Sequence, residues 1–292
     1  MKNIKRKALI GVIGGSGLYD IDGLTQKRWQ KVASQFGEPS DELLFGTLDG
    51  VEMVFLPRHG RGHVHSPSEI NYRANIDALK SVGVSDIISV SAVGSLREEL
   101  SPGAFVVVDQ YIDRTYLRKK TFFGTGNVAH VSMAHPVCSR VGKRVFEAGN
   151  EVGLEMVNGG VYLVMEGPQF STLAESRLYR TWGCDVIGMT NMPEAKLARE
   201  AAICYSSIAM VTDYDCWHPN HDNVTVEQIL KVLESNASGA RSLIKALVPK
   251  IKEFDGECSC RKGLSNSLIT NEAYRDIELV KKLEVVTKKF EN

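Results

Sequence analysis

Four apolar runs in this chain each break off into a small polar or glycine-bearing cluster: Gly14-Gly15-Ser16-Gly17, Arg58-His59-Gly60, Ser91-Ala92-Val93-Gly94-Ser95 and Thr212-Asp213-Tyr214-Asp215. The first three offer donors for an oxyanion. Backbone amides and the Ser16 hydroxyl in a glycine turn can cradle a phosphate, the Arg58 guanidinium can hold one through two parallel hydrogen bonds, and the His59 imidazole can add a third donor. Ser91 adds a hydroxyl and Ala92 a backbone amide. The fourth cluster supplies two carboxylates, which repel an anion but suit the amino group and ring nitrogens of a base.

Each motif has a plainer reading beside it. A glycine-rich strand-to-helix turn is common for backbone reasons alone. The run at 14–17 is not a Walker loop, since no Gly-Lys-Ser/Thr follows, and position 20 is Asp where a dinucleotide fingerprint requires its last glycine. Arg58 and His59 could be a surface pair beside a turn, and the two acids could be solvated loop residues. His63 and His65 share a loop with His59, yet no carboxylate joins them before Glu69, so no metal is expected there. The six cysteines, at 138, 184, 204, 216, 258 and 260, show no repeated Cys-x-x-Cys pair, and that spacing argues against zinc. Cys258-Ser259-Cys260 reads as two free thiols, or less readily as a strained and labile pair.

The elements that must carry these clusters follow from period and punctuation. Residues 8–13, 51–56, 87–90, 105–108, 161–165, 186–189 and 203–211 are short apolar runs that read as buried strands. Residues 67–83, 138–152, 173–182, 193–202 and 225–247 have helical spacing, the last begun by Thr225 as N-cap with Gln228 three residues on. This alternation predicts an α/β fold, whose strands present chemistry at their carboxyl ends so that distant residues meet in one crevice. Residues 255–267 read as a loop and 271–290 as a charged helix that docks on the body or on a neighbour.

At 292 residues and 43% hydrophobic the chain can bury a sizeable core, and one domain over 1–292 is expected. Lys+Arg and Asp+Glu both total 35, so no net field attracts nucleic acid or an anionic membrane, and a small-molecule partner is the better expectation. The basic start is followed by an apolar stretch that breaks at Gly14, too short for a signal peptide or a membrane span, so cytoplasm is the expected location.

Taken together, the motifs resemble the trimeric purine nucleoside phosphorylases, and within them the branch acting on S-methyl-5′-thioadenosine. The resemblance runs from Ile10-Gly11-Val12-Ile13-Gly14-Gly15-Ser16-Gly17-Leu18 through Arg58-His59-Gly60-Arg61, Asn71-Tyr72-Arg73-Ala74-Asn75, Gly94-Ser95-Leu96-Arg97, Glu166-Gly167-Pro168 and Met189-Thr190 to Thr212-Asp213-Tyr214-Asp215-Cys216-Trp217. It implies a three-layer αβα domain around a mixed, largely parallel sheet. It also implies a phosphate site of Ser16, Arg58, His59, Ser91, Ala92 and Thr190, with Met189 along the ribose and Phe170 packed on the purine. Related inosine and guanosine phosphorylases place Asn where this chain has Asp213 and Glu where it has Ser171, so Asp213 and Asp215 imply a 6-aminopurine. Val226 and Ile229, one turn apart, could form an apolar slot for a methylthio group, though helix core is the competing explanation. By the same resemblance His130 reaches that end across a subunit boundary of a homotrimer.

The implied reaction is phosphorolysis to adenine and 5-methylthioribose 1-phosphate. Orthophosphate is then a co-substrate, no cofactor is needed, and Asp213 donates a proton toward N7 while Asp215 keeps its pKa high. A purine nucleoside phosphorylase acting on adenosine, inosine or guanosine, a nucleosidase using water, and a non-catalytic nucleotide-binding module are the alternatives.

Overall fold

The computed structural model describes residues 6–7, 9–219, 226–251, 253–254 and 258–290. Its strands are β1 (Arg6–Lys7), β2 (Ile10–Gly14), β3 (Thr25–Gln30), β4 (Leu43–Leu48), β5 (Val51–Pro57), β6 (Asp86–Ser95), β7 (Phe105–Val108), β8 (Gln110–Asp113), β9 (Met156–Asn158), β10 (Val161–Val164), β11 (Val186–Gly188), β12 (Cys204–Asp213) and β13 (Glu253–Phe254). The helices are α1 (Tyr72–Ser81), α2 (Ser139–Glu151), α3 (Leu173–Thr181), α4 (Asn191–Glu200), α5 (Val226–Ile251), α6 (Ile277–Lys282) and α7 (Glu284–Thr287).

Alternate side chains of the central strands enter different cores. Ile13, Val54, Leu56, Ile87 and Val93 pack with residues of α1, α4 and α7 on one face. Ile10, Val12, Met53, Phe55, Ile88 and Val90 pack with α2 and α5 on the other. A sheet covered on both faces has no polar side, which is why these strands read as nearly continuous apolar runs. The result is the three-layer αβα arrangement.

The main sheet has eleven strands, in the order β3-β4-β5-β2-β6-β11-β10-β8, with β12 paired to β6 and β7, and β9 to β7. β2 runs parallel to β5 and β6, β12 parallel to β6, and β10 parallel to β8 and β11. β6 is the branch point. Its first half pairs with β2, its last two residues pair antiparallel with β11, and β12 follows it along the other edge.

Several boundaries differ from the sequence reading. α1 starts at Tyr72 because the Asn71 side chain accepts from the Ala74 N–H, so the turn opened by Pro67 lies outside the helix. β6 continues through Ser91-Ala92-Val93-Gly94-Ser95, because those residues find partners in β12 and β11. β3 and β4 have no counterpart in that reading: β3 is largely exposed and polar, and as an edge strand it needs no alternation. The expected single helix over 271–290 is broken into a 3₁₀ turn at Glu272–Tyr274, α6 and α7, because Asp276 caps the Leu279 N–H and restarts the chain. It docks on the body through Leu283 and Val286. The expected loop over 255–267 holds a 3₁₀ turn at Ser259–Lys262, and Thr225 lies outside the described residues. Among the described residues no helix is long and apolar enough to cross a membrane.

Candidate active site

One guanidinium ties the carboxyl ends of β2 and β5 to the middle of β6. The Arg58 N–H donates to Gly14 O at 2.9 Å. The residue is 2% exposed, and its side chain donates from Nη1 to Val90 O at 2.9 Å and from Nη2 to Ser89 Oγ at 2.6 Å and Ile13 O at 3.4 Å. Nε and Nη2 grip the Glu194 carboxylate at 2.8 and 3.0 Å. The two-pronged hold on phosphate expected of Arg58 is therefore corrected. The fork is taken by Glu194, because a guanidinium at this depth without a carboxylate would be an uncompensated charge. One Nη1–H stays without a partner among the described residues.

Above this floor lie hydroxyls with no protein partner. Ser91 Oγ, Thr190 Oγ1 and Tyr162 OH are buried and form no hydrogen bond of normal geometry. Tyr162, its pKa raised chiefly by burial, feels Ser91, Arg58 and Thr190 as neighbours, so the three hydroxyls and the guanidinium share one locality. An unsatisfied buried hydroxyl costs about 1–3 kcal/mol, and three together make a cradle for an acceptor with several oxygens. Ala92 is exposed on β6 beside them. Ser16 opens the 3₁₀ turn Ser16–Tyr19, its side chain outside the described residues.

His59 behaves differently from the expected donor. Its Nδ1 lies 2.8 Å from His65 O, and a carbonyl only accepts, so Nδ1 carries the hydrogen. Burial pushes its pKa down to about 4, and its ring stacks on His63 at 4.1 Å. A neutral His59 thus presents Nε2 as an acceptor, suited to a P–OH rather than to a bare phosphate oxygen.

The two acids stand at the end of β12. Pairing with β6 shifts register after Val211, so that Asp213 faces Gly94, and such an irregularity re-aims a side chain. Gly94 leaves room for both: a Cβ there would sit 3.1 Å from Asp213 Oδ2 and 3.3 Å from Asp215 Cβ. Asp213 accepts from Thr212 Oγ1 at 2.6 Å. Its pKa is raised to about 6, mostly by burial against that hydrogen bond, with Asp215 adding a smaller push. Asp215 does push this pKa up as expected, with desolvation rather than like charge as the larger cause. Asp215 is 5% exposed and its Oδ2 has no partner, an acceptor held ready beside Ser171 and Ser176. Cys216 Sγ donates to Ser171 O at 3.3 Å, joining the acid loop to the segment bearing Phe170. Phe170 is half exposed, free to present a ring face.

Met189 is placed by residues the sequence reading missed. A Cβ on Gly167, at φ +70°, would lie 2.5 Å from Met189 Sδ, so only glycine lets the 166–168 loop approach so closely. The buried Arg118 ties that loop to the start of α4, donating to Met189 O and Met192 O at 2.6 Å and to Glu166 O at 2.7 Å. Arg118, Glu194 and Tyr162 gave no usable signal, because a lone charge or tyrosine in an otherwise ordinary segment looks like a surface residue. Val226 and Ile229 lie on the first turn of α5, but their side chains are outside the described residues. His130 is exposed, its N–H donating to Ser267 O, and among the described residues no hydrogen bond, ion pair or ring contact links its side chain to the cluster.

The model of the phosphorylase superfamily matches residues 9–249. The chain belongs to that superfamily. Among phosphorylases it is 60% identical to the S-methyl-5′-thioadenosine phosphorylase of Rhodospirillum rubrum, over 98% of both chains. A methylthioadenosine phosphorylase from an Antarctic soil metagenomic library superposes with a TM-score of 0.91 at 46% identity, covering 97% of this chain and 100% of that one. The methylthioadenosine phosphorylase of Schistosoma mansoni, solved in complex with adenine, superposes at 0.80 with 38% identity, covering 84% of this chain and 92% of its own.

Proposed function

We propose that this phosphorylase cleaves S-methyl-5′-thioadenosine with orthophosphate, releasing adenine and 5-methylthioribose 1-phosphate and needing no cofactor. One observation carries the reading: Asp215, with an unpartnered carboxyl oxygen, and Asp213, its pKa raised to about 6, stand beside Gly94 of β6, the strand that also carries the unpartnered Ser91 hydroxyl. The acids match the amino group and N7 of a 6-aminopurine, and the hydroxyls match phosphate.

In the proposed reaction the nucleophile is a phosphate oxygen, held by Ser91, Thr190 and the remaining Arg58 N–H, and oriented toward the anomeric carbon. As the N-glycosidic bond lengthens, positive charge grows on the ribosyl ring and the phosphate charge stabilises it. The electron pair of the breaking bond moves into the purine, and Asp213 hands its proton to N7 so that adenine leaves neutral. The phosphate–carbon bond replaces the nitrogen–carbon bond, and no enzyme-bound intermediate is required. Homotrimeric assembly and a cytoplasmic location go with this reading.

The test is an assay of methylthioadenosine, adenosine and inosine, each with and without phosphate, with products identified. Phosphate-dependent release of adenine supports the reading. Adenine release that persists without phosphate would mean a nucleosidase, and preference for inosine would overturn the assignment of the acids.

A further inference from the structure

At the amino-terminal end of β12, far from the acids, four cysteines meet. The Sγ atoms of Cys138, Cys204, Cys258 and Cys260 all lie within 4.8 Å of one another. Cys258 Sγ is 3.6 Å from that of Cys138 and 3.5 Å from that of Cys204. All four are free thiols; Cys138, Cys204 and Cys260 are buried and Cys258 partly so. Zinc–thiolate bonds of about 2.3 Å in a tetrahedron give sulfur–sulfur edges of about 3.8 Å, close to the separations found here. The spacing argument against zinc fails because it counts only ligands near in sequence, and the fold brings together cysteines from three separate segments.

We propose that Cys138, Cys204, Cys258 and Cys260 form a structural tetrathiolate site for zinc. Each ligand comes from a fixed piece of backbone. Cys138 is the N-cap residue of α2, and its N–H donates to Tyr205 O at 2.7 Å, which ties it to the strand that Cys204 begins. Cys258 and Cys260 flank Ser259 at the start of a 3₁₀ turn, closed by the Arg261 N–H on Cys258 O at 3.0 Å. Zinc would displace the four thiol protons and leave a site of charge −2. That charge has compensation: the α2 N-terminus points at Cys138, and Arg140 and Arg261 converge beside the cluster on the fully buried Asp86, with Arg140 also within hydrogen-bonding reach of Cys204.

The site is separate from catalysis. Cys204 and Asp213 are the two ends of β12, which at about 3.3 Å per residue puts them roughly 30 Å apart. Four protein ligands leave no open position for substrate, as in structural zinc sites generally. What the metal fastens is the segment from Cys258 onward, which carries α6 and α7, to the opposite end of the sheet from the active site.

The test is zinc content of the full chain, purified under reducing conditions without chelator from zinc-supplemented cells. One tightly held zinc per chain is expected, lost in Cys204→Ser and Cys260→Ser and kept in Cys184→Ser. Because either of the first two variants could fold poorly, the wild-type chain, stripped of metal and kept reduced, is also titrated with cobalt(II). It should develop the intense visible bands of tetrahedral cobalt–thiolate coordination at one equivalent. Absence of stoichiometric zinc together with absence of those bands overturns the proposal. So does peptide mapping of anaerobically prepared protein that finds the four cysteines paired as disulfides.

Discussion

Arg58 and Glu194, 136 residues apart, form a fully buried two-point ion pair, Nε to Oε2 at 2.8 Å and Nη2 to Oε1 at 3.0 Å. Burial disfavours the Arg58 charge, and the Glu194 carboxylate more than restores it, so the guanidinium pKa is held above its ordinary value. Ser89 sits inside the pair, accepting from Arg58 and donating to Glu194 at 2.7 Å.

Removing the carboxylate charge therefore strands a cation. Glu194→Gln is expected to lower the unfolding free energy by about 3–5 kcal/mol in urea titration, and to raise the KM for phosphate more than that for nucleoside. An unchanged denaturation midpoint would show that the pair does not hold the strand ends together.

The opposite holds for the idle hydroxyls. Thr190 Oγ1 contributes no hydrogen bond to the fold, so Thr190→Val should leave thermal stability unchanged or slightly higher. A hydrogen bond to a charged group is worth about 1.5–3 kcal/mol, so the phosphate KM should rise roughly tenfold to a hundredfold. Equal phosphate KM values in the two proteins would remove Thr190 from the site.

Asp213 links activity to pH. Its pKa is raised from an ordinary 3.8 to about 6, so the protonated, proton-donating form fades as pH rises through about 6. Asp213→Asn keeps an N–H but cannot hand over a proton, and kcat/KM for methylthioadenosine should fall about a hundredfold or more. The ratio of the two enzymes should shrink above pH 6, a comparison in which the ionisation of phosphate cancels.

The same shift has a stability consequence of fixed sign. A carboxyl whose pKa is higher folded than unfolded stabilises the fold most below about pH 4, and that contribution is lost as pH rises through about 6. Asp213→Asn, neutral throughout, should be the more stable protein at pH 8 by on the order of 2–3 kcal/mol, with the margin vanishing near pH 4. Denaturation at both pH values checks this, and a less stable variant at pH 8 would contradict burial as the cause.

Much of this was legible in the chain. The apolar runs named the central strands, since burial on both faces leaves a continuous hydrophobic signature, and the polar clusters that end them held Arg58, Ser91, Asp213 and Asp215. Edge strands such as β3 escaped because exposure on one side erases that signature.

The sequence by itself determined which residue types stand at the strand ends, because local pattern and side-chain chemistry are written in order along the chain. Only the tertiary structure decided which of them face each other: that Glu194 occupies the fork of Arg58, that His65 O fixes the proton on His59, and that Cys138 and Cys204 meet Cys258 and Cys260. Those pairings depend on distances between segments far apart in the chain, and packing of the whole sheet sets them.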